Sequence, residues 1–266
     1  MSGQFSRLLL VARTDFSYFF RTKWLMAVLI SLNVSDMLVY ALVITRLISP
    51  AYFAFVVPGI VTVGLFSAAT DTGRRIWLAL REGVAQYYLT LPVRTSGLVV
   101  AYIISGGLGG VVYSSTLLVI ALIAAQTIGA SAIHPANILN AILLLPFLFV
   151  LATGIAGLAG FFASVSRRGE MYWVYAQALQ VTMITVSTIF YPATIIAQYL
   201  PGPIATIAQY NPLSLAATAL RTSAFGPNGL DLSVLSDLFF ASLPLALLGA
   251  LSYWLILRNL GIKGKQ

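Results

Sequence analysis

The side chains able to do chemistry are few, and their spacing argues against catalysis. The chain has 266 residues with seven Asp and Glu, one histidine and no cysteine. Lack of cysteine removes disulfide frameworks, thiolate metal sites and thiol nucleophiles. His134 stands beside Pro135, and the sequence holds no Gly-x-Ser-x-Gly elbow, no His-Glu-x-x-His and no Glu-Glu pair. It therefore reads as an interfacial polar residue, not as a base or ligand. The phosphate-cradling Gly-x-x-x-x-Gly-Lys-Ser/Thr is missing, and lysine occurs only at Lys23, Lys263 and Lys265. The chain reads as a non-enzyme that binds no metal or cofactor itself. One polar pair stands out: Asn33 and Asp36 lie three residues apart inside an otherwise apolar run.

The elements that position these residues belong to a membrane. Hydrophobic residues make up 59% of the chain and charged ones 8%, against about a quarter charged in soluble domains. The net charge of +8 is no nucleic-acid signature, because the basic residues stand singly or in pairs between long apolar runs rather than along one solvated face. Arg7, Arg13 and Asp15 interrupt any leader core, so a cleavable signal is not expected at the start. A helix needs about 20 mainly apolar residues to cross a bilayer, and six runs qualify: 24–48, 52–70, 98–126, 138–163, 173–192 and 238–257. Their even apolarity excludes barrel strands, whose lumen-facing positions alternate polar. The expected fold is all-α with six transmembrane helices in a single domain, 1–266.

Arginine and lysine set the expected orientation. Thirteen of them fall before span one, between spans two and three, between spans four and five, and after span six; only Arg46 and Arg221 fall on the other side. Both termini are thus expected in the cytoplasm. Three segments are not simple spans. Over 5–22, Phe5, Leu8, Leu9, Ala12, Phe16 and Phe19 recur at helical spacing, which predicts an amphipathic interfacial helix. In the loop 71–97, Ile76, Trp77, Leu80, Val84, Tyr87, Tyr88 and Leu91 predict a second short amphipathic helix that Pro92 stops. The outer stretch 193–236 is apolar yet punctuated by Pro201, Pro203, Pro212 and Pro227; helical faces at 195–200 and after the Asn211-Pro212 start signal predict re-entrant or interfacial pieces.

A carboxylate near mid-bilayer costs about 2.5–3.5 kcal/mol, so such groups face a bundle interior or a water-filled cavity. Two readings of Asp36 with Asn33 stand: a polar contact or proton site in a translocation path, and an Asp bonded to a neighbouring span or displaced toward the interface. Glycines at 106, 107, 109 and 110 and at 154, 157 and 160 are expected to allow close helix approach.

Taken in order, four stretches carry a resemblance: the interfacial N-terminal helix; Tyr52-Phe53-Ala54-Phe55-Val56-Val57-Pro58-Gly59-Ile60; Leu80-Arg81-Glu82-Gly83-Val84-Ala85-Gln86-Tyr87-Tyr88-Leu89-Thr90-Leu91-Pro92-Val93-Arg94; and Tyr210-Asn211-Pro212-Leu213-Ser214 leading to Ala219-Leu220-Arg221. Over nearly its whole length the chain resembles the membrane subunit of type-2 ATP-binding-cassette (ABC) exporters, departing at Val84-Ala85, where that family commonly has a Thr after Glu-Gly. The resemblance implies a permease of a prokaryotic cytoplasmic membrane that exports a hydrophobic drug, lipid or related small molecule. It further implies two copies of a nucleotide-binding ATPase subunit that hold ATP and Mg, a second permease copy forming a homodimer or related pair, and surrounding lipid, with no nucleic acid. By the same resemblance Arg81, Glu82, Gly83 and Tyr87 belong to a coupling helix seated on the ATPase, and Asn211 and Pro212 to the outer hairpin. An amphipathic helix resting on the bilayer stays open for the first of these. For the chain as a whole, an ion-coupled secondary transporter and a non-pumping channel or scaffold are the alternatives.

Overall fold

The computed structural model describes residues 2–21, 23–39, 43, 51–90, 94–128, 135–226 and 229–263. These residues form helices and connecting turns, with no strand among them. In chain order the helices are α1 (Ser2–Arg21), α2 (Lys23–Leu38), α3 (Ala51–Arg81), α4 (Val84–Thr90), α5 (Thr95–Ile128), α6 (Pro135–Val165), α7 (Gly169–Thr185), α8 (Ala193–Tyr199), α9 (Gly202–Tyr210), α10 (Pro212–Ser223) and α11 (Leu232–Lys263). Four of them, α3, α5, α6 and α11, are long and apolar enough to cross a membrane. The other two expected spans are shorter where they are described. α2 has 16 residues and α7 has 17, or roughly 24–26 Å at 1.5 Å per residue, below the ~30 Å hydrocarbon layer. Residues 40–42 and 44–48 of the first expected span, His134 and Pro92 lie outside the described residues.

The core has two main parts. The larger gathers Phe53, Leu65 and Phe66 of α3, Tyr113 and Leu117 of α5, Leu148 and Ile155 of α6, and Leu213 and Leu220 of α10. The smaller sits at one end, where Val11 and Ala12 of α1 meet Ile76, Leu98, Tyr102, Tyr172, Tyr253 and Leu257. That end also collects the tail of α3, the starts of α5 and α7, and the tail of α6, together with most of the described arginines; it is called the basic end below. Small residues set the tightest crossing, between α6 and α11. A Cβ on Gly154 would lie 2.6 Å from the Ser242 carbonyl oxygen, and one on Gly157 2.8 Å from the Ala246 Cα. Of the glycines expected to pack helices, Gly154 and Gly157 do so here, and Gly106, Gly107 and Gly110 likewise meet Thr72, Ala156, Thr153, Phe149 and Ala152.

Several boundaries differ from those expected of the sequence, and three of the differences have a visible cause or consequence. Residues 71–81 are not a loop but the last turns of α3, and the break falls at Glu82–Gly83, where Gly83 has φ +78°, a conformation glycine adopts without a Cβ penalty. The single amphipathic helix expected across 76–91 is accordingly two pieces. Span five ends its α-helix at Thr185, and 186–192 run on as irregular chain. α11 begins at Leu232, six residues early, because Asp231 Oδ1 accepts from the Ser233 amide at 2.9 Å and the Asp231 carbonyl accepts from Leu235 N, an N-cap.

Candidate functional site

At the basic end, the α3–α4 bend presents the residues picked out in the sequence. Arg81 ends α3 and donates from Nη2 to the Ser166 carbonyl at 2.9 Å, tying the bend to the end of α6. Glu82 donates its amide to Leu78 O at 2.8 Å, and the Gly83 carbonyl accepts from Tyr87 N at 3.0 Å, starting α4. The Glu82 side chain is exposed, and Tyr87 is 63% exposed with its ring 6.1 Å from that of Tyr88. Ile76 corrects one expectation. Grouped by its spacing with the apolar face of a projecting helix, it is fully buried in the protein's own core, because α3 runs on as helix and brings it against Gly160 of α6. The apolar surface left free on this element is Val84 and Tyr87.

Behind the bend lies an ionic network whose charges the sequence marks only as signals of orientation. Arg75 is buried and donates through Nη1 to the Asp15 carboxylate, and to the Asp15 carbonyl at 3.0 Å; its Nη2 donates to Thr72 Oγ1 at 3.1 Å, and its Nε lies 3.4 Å from Asp71 Oδ2. Arg74 Nε donates to the other oxygen, Asp71 Oδ1, at 2.7 Å. Burial raises the Asp15 carboxyl above its ordinary value, and the Arg75 guanidinium pulls it part of the way back. Asp15, Arg75, Glu82 and Tyr88 wall a cavity of about 210 Å³ between α1 and the bend. The signal for this network was the i, i+3 and i, i+4 spacing of Asp71, Arg74 and Arg75, which puts all three on one helical face.

Asn33 and Asp36 separate in role. Asn33 is buried and donates from Nδ2 to Tyr113 Oη at 3.0 Å, which fixes the face of α2 turned toward α5. Asp36 is exposed on the wall of a cavity of about 400 Å³ between α2, α3 and α7 that also includes Asp71, Arg74, Trp173 and Gln177.

At the opposite end, Asn211 and Pro212 open α10 as the start signal implied. Asn211 is its N-cap, accepting from Leu213 N at 3.0 Å, with Pro212 at the first helical position. The same amide reaches back to α7 and donates to Met183 O at 2.8 Å and to Val186 O. Arg221 satisfies three further carbonyls. Its Nη2 donates to Thr188 O at 2.9 Å and Ile189 O at 2.7 Å, its Nε donates to Phe55 O at 2.8 Å, and the guanidinium carbon lies 3.8 Å from the Phe55 ring centre. The Thr188 amide is taken by Ser214 Oγ at 2.8 Å. Irregular backbone at membrane depth persists only where such partners replace the lost helical bonds. Replacing Arg221 by Leu is therefore expected to destabilise the protein by about 2–3 kcal/mol, the worth of charged hydrogen bonds lost to buried carbonyls, with Arg221→Lys recovering part. Thermal unfolding in detergent measures both, and an Arg221→Leu midpoint equal to wild type would contradict the clamp.

Over its described residues the chain is thus all-helical, and its four long apolar helices point to a place in a membrane. No protein-family model matches it, and no curated protein matches it in sequence.

Proposed function

We propose that the chain is the membrane-spanning permease subunit of a type-2 ABC exporter, moving a hydrophobic drug, lipid or related small molecule out of the cell while a separate subunit hydrolyses ATP. The observation that carries the reading is the α3–α4 bend: a long apolar helix ends in a glycine turn and a short helix, with Glu82 of the turn and Val84 and Tyr87 of α4 exposed. An exposed ring of that size beside a charge suits a groove on a partner protein. In this reading the basic end is cytoplasmic, in keeping with the arginine and lysine bias, six helices span the membrane, and α1 lies in the inner interface. The segment α8–α10 closes the outer side with Asn211 and Pro212. Two permeases and two ATPase subunits with ATP and Mg make up the complex.

The test is purification of the tagged full chain from its own membranes, followed by reconstitution. An ATP-hydrolysing subunit is expected to co-elute, and export is expected to require ATP. Glu82→Lys is expected to reduce the co-eluting ATPase about tenfold, a loss of about 1.4 kcal/mol, without changing the thermal midpoint of the permease. Transport driven by an ion gradient with no ATPase would favour a secondary carrier, a reading that Asp36 in its cavity supports; flux needing neither would favour a channel.

A further inference from the structure

We infer that the cavity between α2, α3 and α7 takes a hydrophobic organic cation whose positive centre sits against the Asp36 carboxylate; in naming this as the exported class, the inference rests on the permease reading above. The first ground is size and lining. About 400 Å³ of space falls in the range of small-molecule pockets, ~300–1,000 Å³, and Leu32, Val63 and Ala176 share its wall with Gln177 and Gln180. That combination accepts an apolar body with a few fixed polar contacts.

The second ground is charge. The wall carries two carboxylates, Asp36 and Asp71, and one guanidinium, Arg74. Asp71 is committed on both oxygens, Oδ1 to Arg74 at 2.7 Å and Oδ2 facing Arg75 at 3.4 Å. Among the described residues no ion pair reaches Asp36. Among those residues, then, one negative charge in the wall is left without a protein counter-ion, in surroundings where a carboxylate calls for a partner. Asn33, anchored on Tyr113 one turn earlier, holds that face of α2 in place, so the carboxylate is presented to the cavity and not free to turn away with the helix.

The third ground is aromatic. Trp173 borders the same space and is 53% exposed, while Tyr172 beside it is fixed by donating to Thr70 O at 2.7 Å. An indole bordering the cavity gives a bound cation a second source of attraction beside the carboxylate. An anion of the same shape would meet the unpaired charge of Asp36 and be repelled.

The experiment uses the purified full chain in detergent, with protein-free micelles as blank, and compares tetraphenylphosphonium with tetraphenylborate, two ions of one shape and opposite charge, by equilibrium dialysis. The phosphonium is expected to bind and the borate to bind at least about tenfold more weakly, the least effect of one charge-assisted contact. Asp36→Asn is expected to remove that preference, Asp36→Glu to keep it, and Asp231→Asn at the opposite end to leave it unchanged. Equal binding of the two ions by the unmodified chain overturns the inference without recourse to any variant, as does an Asp36→Asn protein that unfolds normally and keeps the preference. Because binding is read without an ATPase, the two readings fail separately. Asp36-dependent phosphonium binding with no ATP-driven transport supports the cation site and removes the ABC permease; ATP-driven transport by a chain with no preference between the ions does the reverse.

Discussion

Gly249→Ala is expected to leave little or no monodisperse folded protein. The α6–α11 crossing is built backbone on backbone: a Cβ on Gly249 would land on the Gly157 carbonyl, while Gly154 and Gly157 already lie against Ser242 and Ala246. No rotamer change relieves such a clash, since the obstacle is main chain and the added atom is fixed to the backbone. The helices must separate along their whole shared length, giving up the close contacts on which helix association in lipid depends. Overpacking a core with flexible side chains costs about 1–3 kcal/mol, and a backbone obstacle is expected to exceed about 3 kcal/mol. Size-exclusion chromatography and thermal unfolding in detergent measure the effect. Gly202→Ala is the control, having nothing within 4 Å of its added atom, and should fall within about 0.5 kcal/mol of wild type. A Gly249→Ala protein that elutes and melts like wild type would mean that the two helices do not cross at these residues.

Arg75→Met is expected to destabilise by about 3–5 kcal/mol, because it strands the Asp15 carboxylate, 11% exposed, without its partner. The loss should depend on pH. Burial already holds the Asp15 carboxyl above its ordinary value, and Arg75 is the largest influence acting downward; without it the folded-state value rises further. Between the unfolded and the raised folded value, the folded variant holds a proton that the unfolded chain has released. Stability therefore falls as pH rises through that window and is fully retained below it. The double variant Arg75→Met with Asp15→Asn is expected to recover most of the loss, since a buried charge is no longer left alone, and to flatten the pH dependence. Urea or thermal unfolding at several pH values checks both points. The pair also ties α1 to the wall behind Glu82, so the single variant should loosen the α3–α4 bend; faster proteolysis between Arg81 and Tyr87 would report it.

Much of the architecture follows from local pattern. Long uncharged runs become the long helices α3, α5, α6 and α11, the glycine runs become crossings, and Asn211-Pro212 starts a helix where its cap and its fixed φ predict one. These outcomes depend on residues within a few positions of one another, so the chain written as a line contains them. The helix that continues past residue 70 does not follow in this way. A change from apolar to charged residues at Asp71 resembles an exit from the membrane, yet Asp71, Arg74 and Arg75 neutralise one another and reach Asp15, 60 positions away from Arg75, so the helix runs on to the glycine at 83.

The fifth expected span, 173–192, shows the opposite case. It stays uncharged to residue 192 but leaves the α-helix after Thr185, because its freed carbonyls find Asn211 and Arg221, 25 to 33 positions on. Asp36 belongs to the same class: its type and depth mark it in the sequence, but its place beside a doubly committed Asp71 exists only once α2, α3 and α7 are side by side. Composition and periodicity determine which segments become helices and which of them suit a bilayer, since burying apolar surface and closing hydrogen bonds within one segment are local matters. Where those helices stop, and which charges are left to meet something other than the protein, is decided by hydrogen-bond and ion-pair partners distant in sequence, and only the tertiary structure brings those together.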